Sequence, residues 1–182
     1  MKKVLLLGDS IRENYQDLVT ASLEGRAEVV HPTPNCAFAK YTLCCLNGWL
    51  RDLGTPDIVH WNNGIWDTCV RYVEDGPFTQ VEEYVRTLAA ILRELRKTGA
   101  AVIFATSTPC RDPHDNLDSR RTAWYNHEAL TLMRRENVDI DDLWSVIYPD
   151  IPNLLCEDGC HLSDAGKQAC AASVVKSIEK HL

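Results

Sequence analysis

No run of about 18 apolar residues occurs in the 182-residue chain, so it holds no segment able to cross a bilayer as a single helix. After Met1-Lys2-Lys3 only four apolar residues precede Gly8-Asp9, short of the roughly 7–15-residue apolar core of a secretion signal, and the start reads as that of a mature, cytoplasmic protein. Positive charge is also scarce. With 19 Lys and Arg against 26 Asp and Glu, the net charge is −7, so no basic face is expected to draw nucleic acid or an anionic membrane. The patterns G-x-x-x-x-G-K-[ST], G-x-G-x-x-G, G-x-S-x-G and H-E-x-x-H are missing, as are repeats and low-complexity stretches. Cysteine is not scarce, at eight residues, but no two are spaced C-x-x-C, and Cys156-x-x-x-Cys160-His161 has no second half. The expectation is reduced, mostly buried thiols, no metal and no organic cofactor.

What remains is an ordinary globular composition, 45% hydrophobic and 25% charged, at a length suited to one domain over residues 1–182. Short apolar runs alternate with segments of helical period, the pattern of an α/β fold. Strands are predicted at 3–7, 27–30, 57–61, 100–106 and 138–140, and helices at 11–24, 40–53, 78–98, 119–136 and 163–181. Strands this hydrophobic, joined by long crossovers, imply a parallel sheet of about five strands covered by helices on both faces. Loops are predicted at 31–36, 62–77 and 107–118.

Ligands of such sheets bind beyond the carboxyl ends of the strands. There the sequence has Gly8-Asp9-Ser10, Asn62-Asn63-Gly64 and Thr106-Ser107-Thr108. Ser10 falls at a helix N-terminus, where unpaired N–H groups favour developing negative charge, although a serine there also serves as a plain helix cap. A serine nucleophile needs a base and an orienting partner, and Asp158 and His161, three residues apart in "CEDGCHLSDAGK", offer both. An oxyanion would need donors, for which the N–H groups of Ser10 and of the turn at 35–37 and the amides of Asn62 or Asn63 are candidates. A thiol nucleophile at Cys36 is the weaker alternative, since no Lys or Arg adjoins it in sequence.

Together these blocks resemble the SGNH hydrolases, the GDSL-type esterase and lipase superfamily. "LLLGDSI" carries the serine, "EDGCHLSDAG" the D-x-x-H pair, "DIVHWNNGIWD" stands for the block written G-x-N-D, and "PNCAFA" for the block that supplies a backbone glycine. The likeness runs over residues 4–166. It implies a flavodoxin-like three-layer α/β/α sandwich and a Ser10–His161–Asp158 triad that hydrolyses a small-molecule ester through an acyl-enzyme. Two departures stand out. Aligned without gaps, Gly64 and Asp67 match the third block but Trp66 takes the place of its asparagine, so Asn63, Asn62 or the indole N–H of Trp66 must supply that donor; and Cys36 stands near the glycine of the second block.

The expected substrate is a short-chain ester, acetyl foremost, of a carbohydrate or small metabolite. Trp61, Trp66, Trp124 and the 107–118 loop are candidates to frame its pocket, with Asp9 and Trp66 as substrate contacts. A catalytically silent carbohydrate- or acyl-binding module on the same fold, and an acyltransferase, are the alternatives. Arg12 is expected on a solvated helix face, His60 to be satisfied by backbone, and Asp9 to brace its own turn.

Overall fold

Four consecutive apolar side chains, Val4 to Leu7, can all be buried only in a strand covered on both faces. They lie in β1 (Lys2–Leu7), second in a sheet ordered β2 (Ala27–Val30), β1, β3 (Ile58–Trp61), β4 (Ala101–Ala105) and β5 (Asp139–Asp141). Every neighbouring pair is parallel; β1 runs beside β3 from Val4 opposite Ile58 to Leu7 opposite Trp61. This computed structural model describes residues 1–182 except the side chain of Val73.

The helices are α1 (Ser10–Ser22), α2 (Ala39–Leu53), α3 (Ile65–Thr68), α4 (Val81–Arg96), α5 (Ser119–Arg135), α6 (Leu143–Ile147), α7 (Ile151–Leu154) and α8 (Asp164–Glu179). Period-two alternation divides the strands between two cores. Leu5, Leu7, Val59, Trp61 and Phe104 pack against Leu46 and Trp49 of α2, Tyr84, Leu88 and Ile91 of α4, and Tyr125 and Ala129 of α5. Val4, Leu6, Ile58, Ile103 and Ala105 pack against Ile11, Tyr15 and Val19 of α1, Leu143 and Ile147 of α6, and Cys170 and Val174 of α8. Helix, sheet and helix therefore form three layers, with the carboxyl ends of β1, β3 and β4 on one rim.

The predicted strands and long helices agree with these elements to within a few residues. The differences lie in short pieces. The stretch 62–77, read as loop, contains α3, and α6 and α7 had no counterpart in the prediction because one turn of helix is too brief to display a period. The thiols also differ from expectation: Cys36, Cys110 and Cys170 are buried, whereas Cys44 is exposed and the other four lie between. Among the described residues no helix is long and apolar enough to cross a membrane.

Candidate active site

The turn after β1 depends on Gly8, because a Cβ there would stand 2.7 Å from Arg12 Cβ and block the return of α1 over the strand end. Asp9 caps α1, its Oδ1 accepting from the Ile11 N–H at 3.0 Å. Ser10 follows as the first residue of α1, so its own N–H has no intrahelical acceptor and sits at the positive end of the helix dipole.

The opposite half of the site is a tight hairpin before α8. Leu155 and Leu162 bridge, the Cys156 N–H donates to the His161 carbonyl at 2.7 Å, and the chain reverses through Gly159 at φ 74°. Asp158 organises the turn: Oδ1 accepts from the N–H groups of Cys160 (2.9 Å) and His161 (3.0 Å), while Oδ2 accepts from His161 Nδ1 at 2.7 Å. That bond puts the ring proton on Nδ1 and leaves Nε2 free to accept, and Nε2 lies 2.9 Å from Ser10 Oγ across 151 positions of sequence. Partial burial alone would raise the Asp158 carboxyl, but the two backbone N–H bonds and the imidazole outweigh it and hold it down to about 2. Asn14 of α1 ties the hairpin to the serine's helix, its Oδ1 accepting from the Leu162 N–H at 3.0 Å.

The donors expected for an oxyanion are differently disposed. The Cys36 N–H donates to the Gly8 carbonyl at 3.1 Å, and burial pushes the Cys36 thiol up to about 11, which leaves little thiolate for the alternative nucleophile. Asn62 Nδ2 donates to the Ala105 carbonyl at 2.9 Å, bracing the ends of β3 and β4. Asn63 Nδ2 donates to the Ala37 carbonyl at 3.1 Å while its Oδ1 accepts the Trp61 indole N–H at 2.7 Å. Each amide thus spends one of its two N–H donors on backbone, which fixes where the other points. The left-handed backbone of the second block falls on Ala37, at φ 46°, not on Cys36; its N–H donates to Asn35 Oδ1 at 2.8 Å. Gly64, at φ 156°, fits where a Cβ would meet Ser107 Oγ at 2.2 Å, so a side chain is excluded there.

Buried charge surrounds this half. Arg12, expected in solvent, is 1% exposed, because its chain lies over Gly8 and its guanidinium reaches the carbonyls of Gly8 (3.4 Å) and Pro34 (3.3 Å), Gln16 Oε1 and Glu13 Oε1 (3.7 Å). Asp9, expected to touch substrate, is fully buried and lines no part of the cleft; desolvation raises its carboxyl to about 6 against the pull of the Ile11 N–H and Arg12, and among the described residues Oδ2 has no partner. Asp67 is likewise raised to about 6 by burial, and both its oxygens accept the Ala39 N–H, at 3.0 and 3.3 Å, capping α2 from a distance. His60 bonds a carboxylate, Asp141, rather than backbone.

A cleft of about 270 Å³ opens at Ser10 and His161. Ile65 and Trp66 of α3 form one wall, Cys69 and Arg71 continue it, and His114, Asn116 and Leu117 from the 107–118 segment face them. Of the three tryptophans expected to frame the pocket, Trp66 does so, Trp61 is core and Trp124 stands exposed on α5 outside the cleft. Arg71 had no signal in the sequence beyond a lone cation in a loop.

A family model described as the GDSL-like lipase/acylhydrolase family matches residues 6–169. Among solved structures, the chain is similar to the lipase/acylhydrolase from Enterococcus faecalis, with 22% identity and a TM-score of 0.86, covering 100% of this chain and 97% of that one. It is similar to the acetyl xylan esterase AlAXEase (19% identity, TM-score 0.79, 97% of this chain and 99% of that one). It is also similar to Axe2, an acetylxylan esterase from Geobacillus stearothermophilus (19% identity, TM-score 0.81, 97% and 94%). At these identities the likeness is one of fold. Among curated proteins no match is found.

Proposed function

Because the chain belongs to the GDSL-like lipase/acylhydrolase family, we propose that it is a serine esterase whose triad is Ser10, His161 and Asp158 and whose substrate is a short-chain ester, acetyl foremost, of a carbohydrate or small metabolite. Ser10 Oγ attacks the ester carbonyl as its proton passes to His161 Nε2, and Asp158 holds the resulting imidazolium in place. Collapse of the tetrahedral intermediate breaks the C–O bond to the alcohol, which leaves with the proton from Nε2. Water, deprotonated by the same nitrogen, then releases the acyl group from Ser10. The carbonyl oxygen takes the N–H of Ser10 and a side-chain donor, either the second N–H of the Asn63 or Asn62 amide or the indole N–H of Trp66, a group that only donates. A cleft of about 270 Å³ has room for a small acyl group.

The observation that carries this reading is the unbroken hydrogen-bond chain from Asp158 through His161 to Ser10, at 2.7 and 2.9 Å. Purified protein is expected to cleave 4-nitrophenyl acetate, and Ser10→Ala to reduce kcat/KM by about 10³-fold or more. Activity that survives the substitution refutes the mechanism. The bonds that occupy Asn62, Asn63 and the Cys36 N–H favour one other reading, a silent module that binds without turnover. A fluorophosphonate separates the two: the esterase is labelled at Ser10, and a folded module is not.

A further inference from the structure

We propose that the substrate of this site carries an anionic group, a carboxylate or a phosphate, and that Arg71 is the residue that selects it. The inference rests on the esterase reading and names its substrate class more closely.

Arg71 lines the same cleft as Ser10 and lies over the indole of Trp66, its guanidinium carbon 5.3 Å from the ring centroid. A guanidinium laid against an aromatic face keeps its N–H edges free for a planar or tetrahedral oxyanion. Among the described residues no ion pair includes Arg71, so no carboxylate of the chain competes for its N–H edges. The one carboxylate in the cleft's lining, Asp158, is turned to His161.

The facing wall has the same character. His114 Nδ1 accepts the N–H groups of Asn116 and Leu117, each at 3.2 Å, so a neutral His114 carries its proton on Nε2 and is a donor there. The two walls are fixed to each other, since the Val70 N–H donates to the Asn116 carbonyl at 2.9 Å. The segment leading to Arg71 is held in turn: the Phe78 N–H bonds the Cys69 carbonyl at 2.8 Å, and Arg121 Nε bonds the Thr68 carbonyl at 2.8 Å. Ile65 and Leu117 supply apolar surface beside these donors, and that surface strengthens attraction to an anion. Arg71 is solvent-exposed, so a neutral ester would leave its guanidinium to water, whereas an anionic one would add a charge-assisted hydrogen bond.

Matched esters test this on both sides of the scissile bond. On the acyl side, 4-nitrophenyl hemiglutarate is compared with 4-nitrophenyl valerate; on the alcohol side, 4-acetoxybenzoate and 4-acetoxyphenyl phosphate are compared with methyl 4-acetoxybenzoate. In one arm the anionic ester is expected to show at least about tenfold higher kcat/KM, arising in KM and shrinking in 0.5 M NaCl. Arg71→Gln should bring that ratio to within about twofold of unity, and Arg71→Lys should restore part of it. A ratio near unity in both arms, or a preference that persists in Arg71→Gln, overturns the inference. Calorimetric binding of the same esters to Ser10→Ala keeps the two readings apart. Anion-selective binding that depends on Arg71, without turnover by the unsubstituted protein, sinks the esterase and leaves this assignment standing. Turnover without selectivity does the reverse.

Discussion

Of the three histidine–aspartate pairs among the described residues, the third being His181 with Asp139 near the chain's end, two differ most in their surroundings. His161 Nδ1 meets Asp158 Oδ2 at 2.7 Å with the side chains 42% and 50% exposed, and His60 Nε2 meets Asp141 Oδ2 at 2.9 Å with 0% and 3% exposed. The first stands on a hairpin at the strand-end rim, its second ring nitrogen turned to Ser10. The second crosses the sheet from β3 to β5, with Ser173 Oγ bonding the other Asp141 oxygen at 2.6 Å, the Tyr15 ring edge-on to His60 at 6.3 Å, and, among the described residues, no partner for His60 Nδ1. Chemistry alone does not separate the pairs; access does. One imidazole opens on the cleft and on Ser10, and the other meets only the interior, where a buried polar pair is sustained by its partners and is costly to break.

Exchanging each acid for its amide divides the two most sharply. Asp158→Asn keeps an Oδ1 acceptor for the turn but no longer fixes the His161 proton on Nδ1, so kcat/KM should fall by about 10³–10⁴-fold while stability changes by less than about 1 kcal/mol. Asp141→Asn should do the opposite. It leaves His60 or Ser173 mismatched in the core, at a loss of about 3 kcal/mol and a Tm lower by roughly 10 °C, with activity per folded molecule within a few-fold. Thermal melts beside ester kinetics read both. Equal losses of Tm in the two variants would erase the distinction.

The same contrast explains what the sequence made legible. The sheet was readable because the buried strands are continuous apolar runs, and the triad candidates because D-x-x-H and G-D-S are local patterns at the ends of elements with clear periods. The donors opposite were not. Whether Asn63 is free depends on the Ala37 carbonyl 26 positions away, and the burial of Arg12 on a missing Cβ at Gly8, contacts that no local pattern encodes. His60 looked like an ordinary strand residue because its partner, Asp141, lies 81 positions on in the least apolar strand. Arg71 was invisible for a related reason: its meaning comes from Trp66 beneath it and from Ser10 in the same cleft, 61 positions earlier in the sequence.

Between the two pairs lies Asp9, as buried as Asp141 yet adjacent to Ser10, and pH distinguishes it from either. Its carboxyl, raised to about 6 by desolvation, keeps its proton in the folded state over a range where the unfolded chain, near 3.8, has released it. The folded state therefore binds more protons between pH 4 and 6, and stability falls as pH rises through that window, the full penalty being present above 6. Asp9→Asn retains an acceptor for the Ile11 N–H and removes the titration. Its stability relative to the unsubstituted protein should improve by about 2 kcal/mol between pH 4 and pH 7, measured by denaturant melts at each pH. A difference that does not vary with pH would mean that Asp9 is not held protonated by its surroundings.

The smallest expected effect tests whether the donor side is strained as well as locked. Ala37 holds φ 46°, a conformation that costs a side-chain-bearing residue about 1 kcal/mol, and it is kept there from both ends, by Asn63 on its carbonyl and Asn35 on its N–H. Ala37→Gly relieves the clash but enlarges the freedom of the unfolded chain, two terms of opposite sign and similar size. If the amide brackets dominate and the strain is real, the net is a gain of about 0.5 kcal/mol, a rise in Tm of roughly 1–2 °C. If the turn is relaxed as it stands, only the entropy of the unfolded chain remains, and Tm falls by a similar amount. The sign alone therefore decides whether the second block was built for glycine or has been refitted around alanine.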